Sequence, residues 1–192
     1  MKITSITVFK VDLPLEHPYW LSGGRLKFEV LDATLVKIET DAGIVGWGEG
    51  TPWGHTYVPA HGPGIRAGIE TMAAFVLGLD PRKLLEVERA MDLALPGHLY
   101  AKSPIDMACW DIAGKAYGRP VWQLLGGAFR REVEPYATGF YRVTGQVTHK
   151  ALTTPLRRCR EGHASSSATP ILNDIHGWGC YRYTEVYLKW RR

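Results

Sequence analysis

Ala101-Lys102-Ser103-Pro104-Ile105-Asp106-Met107-Ala108-Cys109-Trp110-Asp111-Ile112-Ala113-Gly114-Lys115 is the stretch whose reading decides the fold. Ile105, Ala108, Cys109, Ile112 and Ala116 recur at helical spacing, and Ala108, Ala113 and Gly114 are small enough to let neighbouring elements come close. The pattern predicts a central packing helix. Ser103 reads as its N-cap, Pro104 as its first residue and Asp106 as an acid set against the positive end of the helix dipole. Gly118 ends the helix, Pro120 restarts a short turn, and Gly126-Gly127 releases the chain.

Upstream, residues 2–13 carry Ile3, Ile6, Val8, Val11 and Leu13 in a period-2 pattern with one slip, which predicts a strand stopped by Pro14. Residues 15–27 hold Pro18, Gly23 and Gly24 around Tyr19 and Trp20 and read as a loop carrying aromatic side chains. Alternation resumes over residues 29–40, Asp41-Ala42-Gly43 supplies a turn, and residues 44–49 return as a third strand. The three strands make an antiparallel meander, and Gly46, Gly48 and Gly50 mark where its last strand is bent or closely approached.

Residues 51–64 form a long loop that concentrates Trp53, His55, Tyr57 and His61; loops of this length are either functional or packed onto the surface. Ile65, Ile69, Met72 and Val76 share one face and predict a helix over 65–77. Asp80-Pro81 opens another, with Leu84, Leu85, Val87 and Met91 inward and Pro96-Gly97 at its end. Strands come first and helices after, so the fold class is α+β.

The 192 residues, 45% of them hydrophobic, suffice for a real core and exclude a disordered chain. No apolar leader or membrane-length span is present, which predicts a soluble protein of the cytoplasm. Cys109, Cys159 and Cys180 form no Cys-x-x-Cys pair and suit a reducing compartment, with Cys109 a small core residue. The formal charge of +4 divides into −1 over residues 1–145 and +5 over residues 146–192, so the basic character belongs to the tail and argues little for nucleic acid binding.

Residues 133–138 predict one more strand, which could begin a second domain. From about Val143 onward neither helical nor period-2 patterning is sustained. Cys159 and His163, like His176 and Cys180, are four apart and raise the alternative of a zinc site, but Gly162, Gly177 and Gly179 oppose the helices it would need.

Two stretches, Thr40-Asp41-Ala42-Gly43-Ile44-Val45-Gly46-Trp47-Gly48-Glu49 and Ala101 to Gly126, make the chain resemble the amino-terminal part of the mandelate racemase and muconate lactonizing branch of the enolase superfamily. In the second, Ile105, Asp106, Ala108, Asp111, Gly114, Lys115, Pro120, Leu124, Leu125 and Gly126 stand where that family's signature has them, and Pro104 and Cys109 depart from it. The resemblance covers about residues 1–142. Pro52 to Tyr57 and Leu95 to Lys102 are further similar to members acting on proline-type acids, the cis-3-hydroxyproline dehydratases and hydroxyproline-betaine epimerases.

The resemblance implies an enolase-like capping domain over residues 1–128, a three-stranded meander plus a helical bundle. The first strand of a (β/α) barrel follows at 129–142, cut short, with an irregular basic tail at 143–192. It implies an enzyme that removes the proton α to a carboxylate with Mg²⁺ in the full-length family, leading to dehydration or epimerisation. Small-molecule carboxylates are then the partners, with no nucleic acid and no membrane, and homo-oligomerisation is left open. Substrate contacts fall in the loops at 15–27 and 51–63, on Trp20, Trp53, His55 and Tyr57, with loop packing the competing role for each.

No catalytic residue and no metal ligand is assigned, because the barrel's lysine bases and spaced acids have no counterpart after residue 138; no Mg²⁺ is expected on this chain. A break in reading frame near Arg160-Glu161-Gly162-His163 would account for the unpatterned tail, and predicts a chain inactive by itself. The competing functional class is a non-enzymatic binding or oligomerisation module that uses the capping domain.

Overall fold

The computed structural model describes residues 1–21, 25–130, 132 and 188–191. The chain divides into two compact units, Met1–Ala128 with Cys180–Arg192, and Phe129–Gly179; the elements below belong to the first. The strand expected over 133–138 and the four candidate zinc ligands lie outside the described residues, as does the tail apart from 188–191.

Strand β1 spans Ile3–Leu21, β2 Leu26–Thr40 and β3 Val45–Gly50. They form the predicted antiparallel meander, and Leu188–Arg191, strand β4, adds antiparallel to Ser5–Val8 on the free edge of β1. No residue pattern in the tail marks β4. The slip in the β1 pattern is a register shift between Ile3 and Ser5, which lets Ile3, Ile6 and Val8 all enter the core.

Pro14 does not stop β1, and residues 15–27 are not a loop throughout. Beyond a second register shift between Pro14 and Tyr19, pairing resumes with Tyr19 opposite Phe28 and Leu21 opposite Leu26. A proline has no N–H for a ladder, so Pro14 and Pro18 are tolerated where the ladder is already interrupted.

Three helices cover one face of the sheet: α1 over Gly62–Val76, α2 over Leu84–Ala94 and α3 over Leu99–Tyr117, followed by a single turn, α4, at Val121–Leu124. Between sheet and helices lie Ile6, Val8, Val36 and Ile38, Ile65, Ile69 and Met72, Val87 and Met91, and Ile105, Cys109 and Ile112. Leu85 is a correction: it is 81% exposed, because Leu84, Val87 and Met91 fall on one helical face and Leu85, the next residue, points about 100° round the helix from Leu84. Burial pushes the Cys109 thiol up to about 12, with a small push from Asp106, so it is a core residue and a poor nucleophile.

The largest correction concerns the start of α3. It begins four residues before Ser103, at Leu99; His98 takes the left-handed conformation at φ 51° and ψ 42°, and its carbonyl accepts from the N–H groups of Ala101 and Lys102. Pro104 therefore sits inside the helix, and Asp106 stands well beyond the first turn, its carboxyl raised by burial and then by Glu88. The helix meets the sheet here: a Cβ on Gly48 of β3 would come within 1.9 Å of the Pro104 carbonyl oxygen, one on Gly46 within 2.2 Å of that of Ala108, and one on Gly50 within 3.0 Å of the Pro104 ring. The helix backbone lies directly on β3, as the alternating glycines anticipated.

Asp111 and Lys115, one turn apart on α3, fasten this contact. The Asp111 carboxylate accepts from the Trp47 N–H at 2.9 Å, and Lys115 donates to the Val45 carbonyl and to Asp111, both at 2.7 Å. Gly118 ends the helix as expected, at φ 61°, donating to the carbonyls of Gly114 and Lys115.

The start of β1 is tied to the segment after α1 by the Ile3 N–H donating to the Leu79 carbonyl and the Gly78 N–H to that of Ile3. Beside this tie, Asp80 is hydrogen-bonded by Arg82 and lies 3.7 Å from the Met1 amino group. The hydrogen-bonded Arg82 guanidinium holds the Asp80 carboxyl well below the usual carboxylate range, against the upward push of its burial. A carboxylate with a folded-state pKa below its unfolded value of about 3.9 contributes stability above that value and loses it as pH falls towards the folded one. Urea titrations from pH 6 down to pH 2 are expected to show Asp80→Asn less stable by about 1 kcal/mol at the upper end, with the difference shrinking below pH 4.

Candidate functional site

The predicted contact residues lie on two segments that the sheet brings together: the far end of the β1–β2 hairpin and the connection from β3 to α1. Because β1 continues past Pro18, Tyr19 stands directly opposite Phe28. The Trp53 ring packs against both, 4.7 Å from Tyr19 at a tilt of 48° and 5.7 Å from Phe28 edge to face at 86°. These separations fall in the range where aromatic pairs attract beyond their area burial.

Gly54 follows Trp53 with φ +60°, and a Cβ there would come within 2.7 Å of Phe28 Cε1. Tight turns bring the chain round, with the Gly54 N–H donating to the Pro52 carbonyl and the Ala60 N–H to that of Val58. His61 then caps α1, its Nδ1 accepting from the Gly64 N–H at 3.1 Å.

The connection is held where it enters α1. Arg66 reaches Asp32 with two hydrogen bonds of 2.7 and 2.9 Å and Thr34 with a third of 3.1 Å. The Asp32 carboxylate lies so close to Gly62 that a Cβ there would meet it at 2.3 Å. Asp12 faces Asp32 across the ladder and pairs with Lys10 at 3.0 Å, so two opposed carboxylates are each matched to a cation.

Of the four predicted residues, Trp53 is thus half-buried in the aromatic cluster. Tyr57 is 65% exposed, and its influence joins burial, the larger cause, in raising the Tyr19 hydroxyl. His55 is exposed on the same connection. The Trp20 backbone pairs with Lys27, and its side chain lies outside what is described. Tyr19 and Phe28 are the additions. Extending the period-2 reading through Leu26 and Phe28, rather than ending it at Pro14 and residue 29, would have found them.

An open cavity of about 460 Å³ lies apart from this cluster, between the starts of α1 and α3, with His61, Thr71, Leu95, His98 and Tyr100 among its walls. Among the described residues no three His, Cys, Asp or Glu side chains come together as a metal site. A carboxylate set for Mg²⁺ is therefore not found in them. No described helix is long and apolar enough to cross a membrane.

Comparison with known proteins fits this architecture. The chain is 44% identical over 178 residues to the cis-3-hydroxy-L-proline dehydratase of Roseibium aggregatum, which takes in 92% of this chain and 46% of that protein. A match of that length passes beyond residue 142, further than the sequence patterning alone suggested. It is 35% identical over 132 residues to the N-succinyl-L-Arg/Lys racemase of Bacillus cereus, covering 69% of this chain and 35% of the racemase. A solved enolase-superfamily member from Roseovarius nubinhibens, complexed with magnesium, superposes with a TM-score of 0.61 at 66% identity, over 66% of this chain and 34% of that one. The chain spans half or less of the length of these relatives. Residues 3–126 match the mandelate racemase/muconate lactonizing enzyme N-terminal domain, and the chain belongs to that family.

Proposed function

We propose that the described unit is the capping part of a Mg²⁺-dependent enzyme that removes the proton α to a carboxylate. Its substrate in this reading is a proline-type acid, such as cis-3-hydroxyproline, which would be dehydrated, or hydroxyproline betaine, which would be epimerised. The observation that carries the proposal is the 44% identity over 178 residues to the Roseibium dehydratase.

The cap's own share is binding. Trp53 and the exposed Tyr57 offer π-faces to a secondary or quaternary ammonium group, and Trp20 joins them. His55 meets a hydroxyl or carboxylate, and closing these side chains over the ligand excludes water. Mg²⁺ would supply electrophilic stabilisation of developing negative charge, from residues other than those described.

The test is a chimera in which residues 1–126 replace the corresponding part of the Roseibium dehydratase. It is expected to turn over cis-3-hydroxy-L-proline, and Trp53→Ala in it to lose about thirtyfold in kcat/KM, the size of one desolvated cation–π contact. A folded chimera without turnover would count against the substrate class. The purified 192-residue chain with Mg²⁺ is expected to give none, and turnover by it would overturn the assignment of a purely binding role.

A further inference from the structure

The geometry points to Phe28 and Tyr19 as positioning residues that hold Trp53 in one orientation, a socket built on the hairpin and admitted by Gly54. This deepens the reading above, since it concerns the same site, but it rests on contacts that need no ligand.

Three observations converge on the assignment. Trp53 has ring contacts on two sides, a tilted one at 4.7 Å and an edge-to-face one at 5.7 Å, and both come from the hairpin rather than from its own segment. Tyr19 and Phe28 are register partners, so their spacing is set by the β-ladder and not by loop conformation. The chain reversal beside Trp53 puts Gly54 at φ +60° with only enough room for a hydrogen over the Phe28 ring edge. Two rigid strands thus fix a side chain carried by an irregular segment.

The functional consequence is preorganisation. An indole that turns freely must be ordered when a ligand arrives, and that ordering is taken out of the binding free energy. One already clamped on two sides presents its remaining surface in a constant orientation. Selectivity for a flat or cationic ligand would then depend on residues of β1 and β2 that need not touch that ligand. Phe28 and Tyr19 act through Trp53.

The experiment uses the full chain labelled with 5-fluorotryptophan, the Trp53 signal being assigned among the seven tryptophans by its loss in Trp53→Phe. Without ligand, one sharp Trp53 resonance is expected. Phe28→Ala and Tyr19→Ala are each expected to move and broaden it, while Tyr19→Phe, which keeps the ring, leaves it in place. Gly54→Ala attacks the same contact from the other side and is expected to move the same resonance. It serves also if a hairpin variant fails to fold, as judged by circular dichroism.

An unmoved Trp53 signal in folded Phe28→Ala and Tyr19→Ala chains would overturn the socket. Titration with cis-3-hydroxy-L-proline is a separate arm. A socket that behaves as expected while the proline-type probe leaves Trp53 unshifted would keep the positioning role and count only against the substrate reading.

Discussion

Replacing Gly48 with alanine is expected to destabilise the folded unit by about 3 kcal/mol or more, at the upper end for an overpacking substitution. The added methyl would be placed 1.9 Å from the Pro104 carbonyl oxygen, with the Pro104 carbonyl carbon at 2.8 Å. Both are helix backbone atoms and cannot rotate away as a side chain would. Relief requires α3 to lift from β3, which would stretch the bonds that Asp111 and Lys115 make to the strand. Gly43→Ala is the informative comparison. That glycine has φ +75° and nothing within 4 Å, so only backbone strain is added, on the order of 1 kcal/mol. Denaturant unfolding of the two variants side by side separates close approach from conformational freedom, and equal losses would show that the helix–strand contact is not the reason for glycine at 48.

Arg66→Met is the second large effect, expected at about 2–3 kcal/mol. Methionine keeps much of the stem's apolar contact, so the loss reports the guanidinium. Removing it takes two hydrogen bonds from the Asp32 carboxylate and one from Thr34, which is fully buried. Breaking one side of a buried ion pair typically costs 3–5 kcal/mol, and the figure here is lower because a third of the Asp32 side chain meets solvent. The double variant Arg66→Met with Asp32→Asn is expected to recover part of the loss, since no lone carboxylate would then face Asp12. Additive losses in that cycle would mean the ion pair contributes little.

The meander, the three helices, the bulge in β1 and the close approach at β3 were all legible because each leaves a periodic trace. Ile3, Ile6 and Val8 carry the bulge as a skipped beat, and three glycines in alternate positions carry the contact with α3. Pro104 misled for a definite reason. Local propensity places a proline in the first turn after a serine, whereas in the fold Pro104 stands inside α3 with its ring against Gly50 of β3, where tertiary packing overrides propensity. The hairpin's far end was missed because Pro14 and Pro18 interrupt the ladder without ending it.

In the candidate site, Trp53 and Tyr57 stood out as aromatics in a loop, but their relation to Tyr19 and Phe28 depends on strand register, which no local pattern in residues 51–64 contains. Leu188–Arg191 pairs with β1 along a backbone ladder, which many sequences can offer, and four residues are too few to leave a periodic trace.

The clamp made by Asp111 and Lys115 also has a bearing on how the molecule behaves among copies of itself. The outer strand of an open sheet presents a row of unpaired N–H and C=O groups, a template on which another chain can add and from which aggregates grow. On β3, the outward N–H of Trp47 is occupied by a carboxylate and the outward carbonyl of Val45 by an ammonium. On the opposite side of the sheet, β1 is met by β4. On the β3 border two outward groups are taken by charged side chains one helical turn apart, which leaves another chain fewer free groups to pair with there, while on the other side β4 covers only Ser5–Val8 of β1.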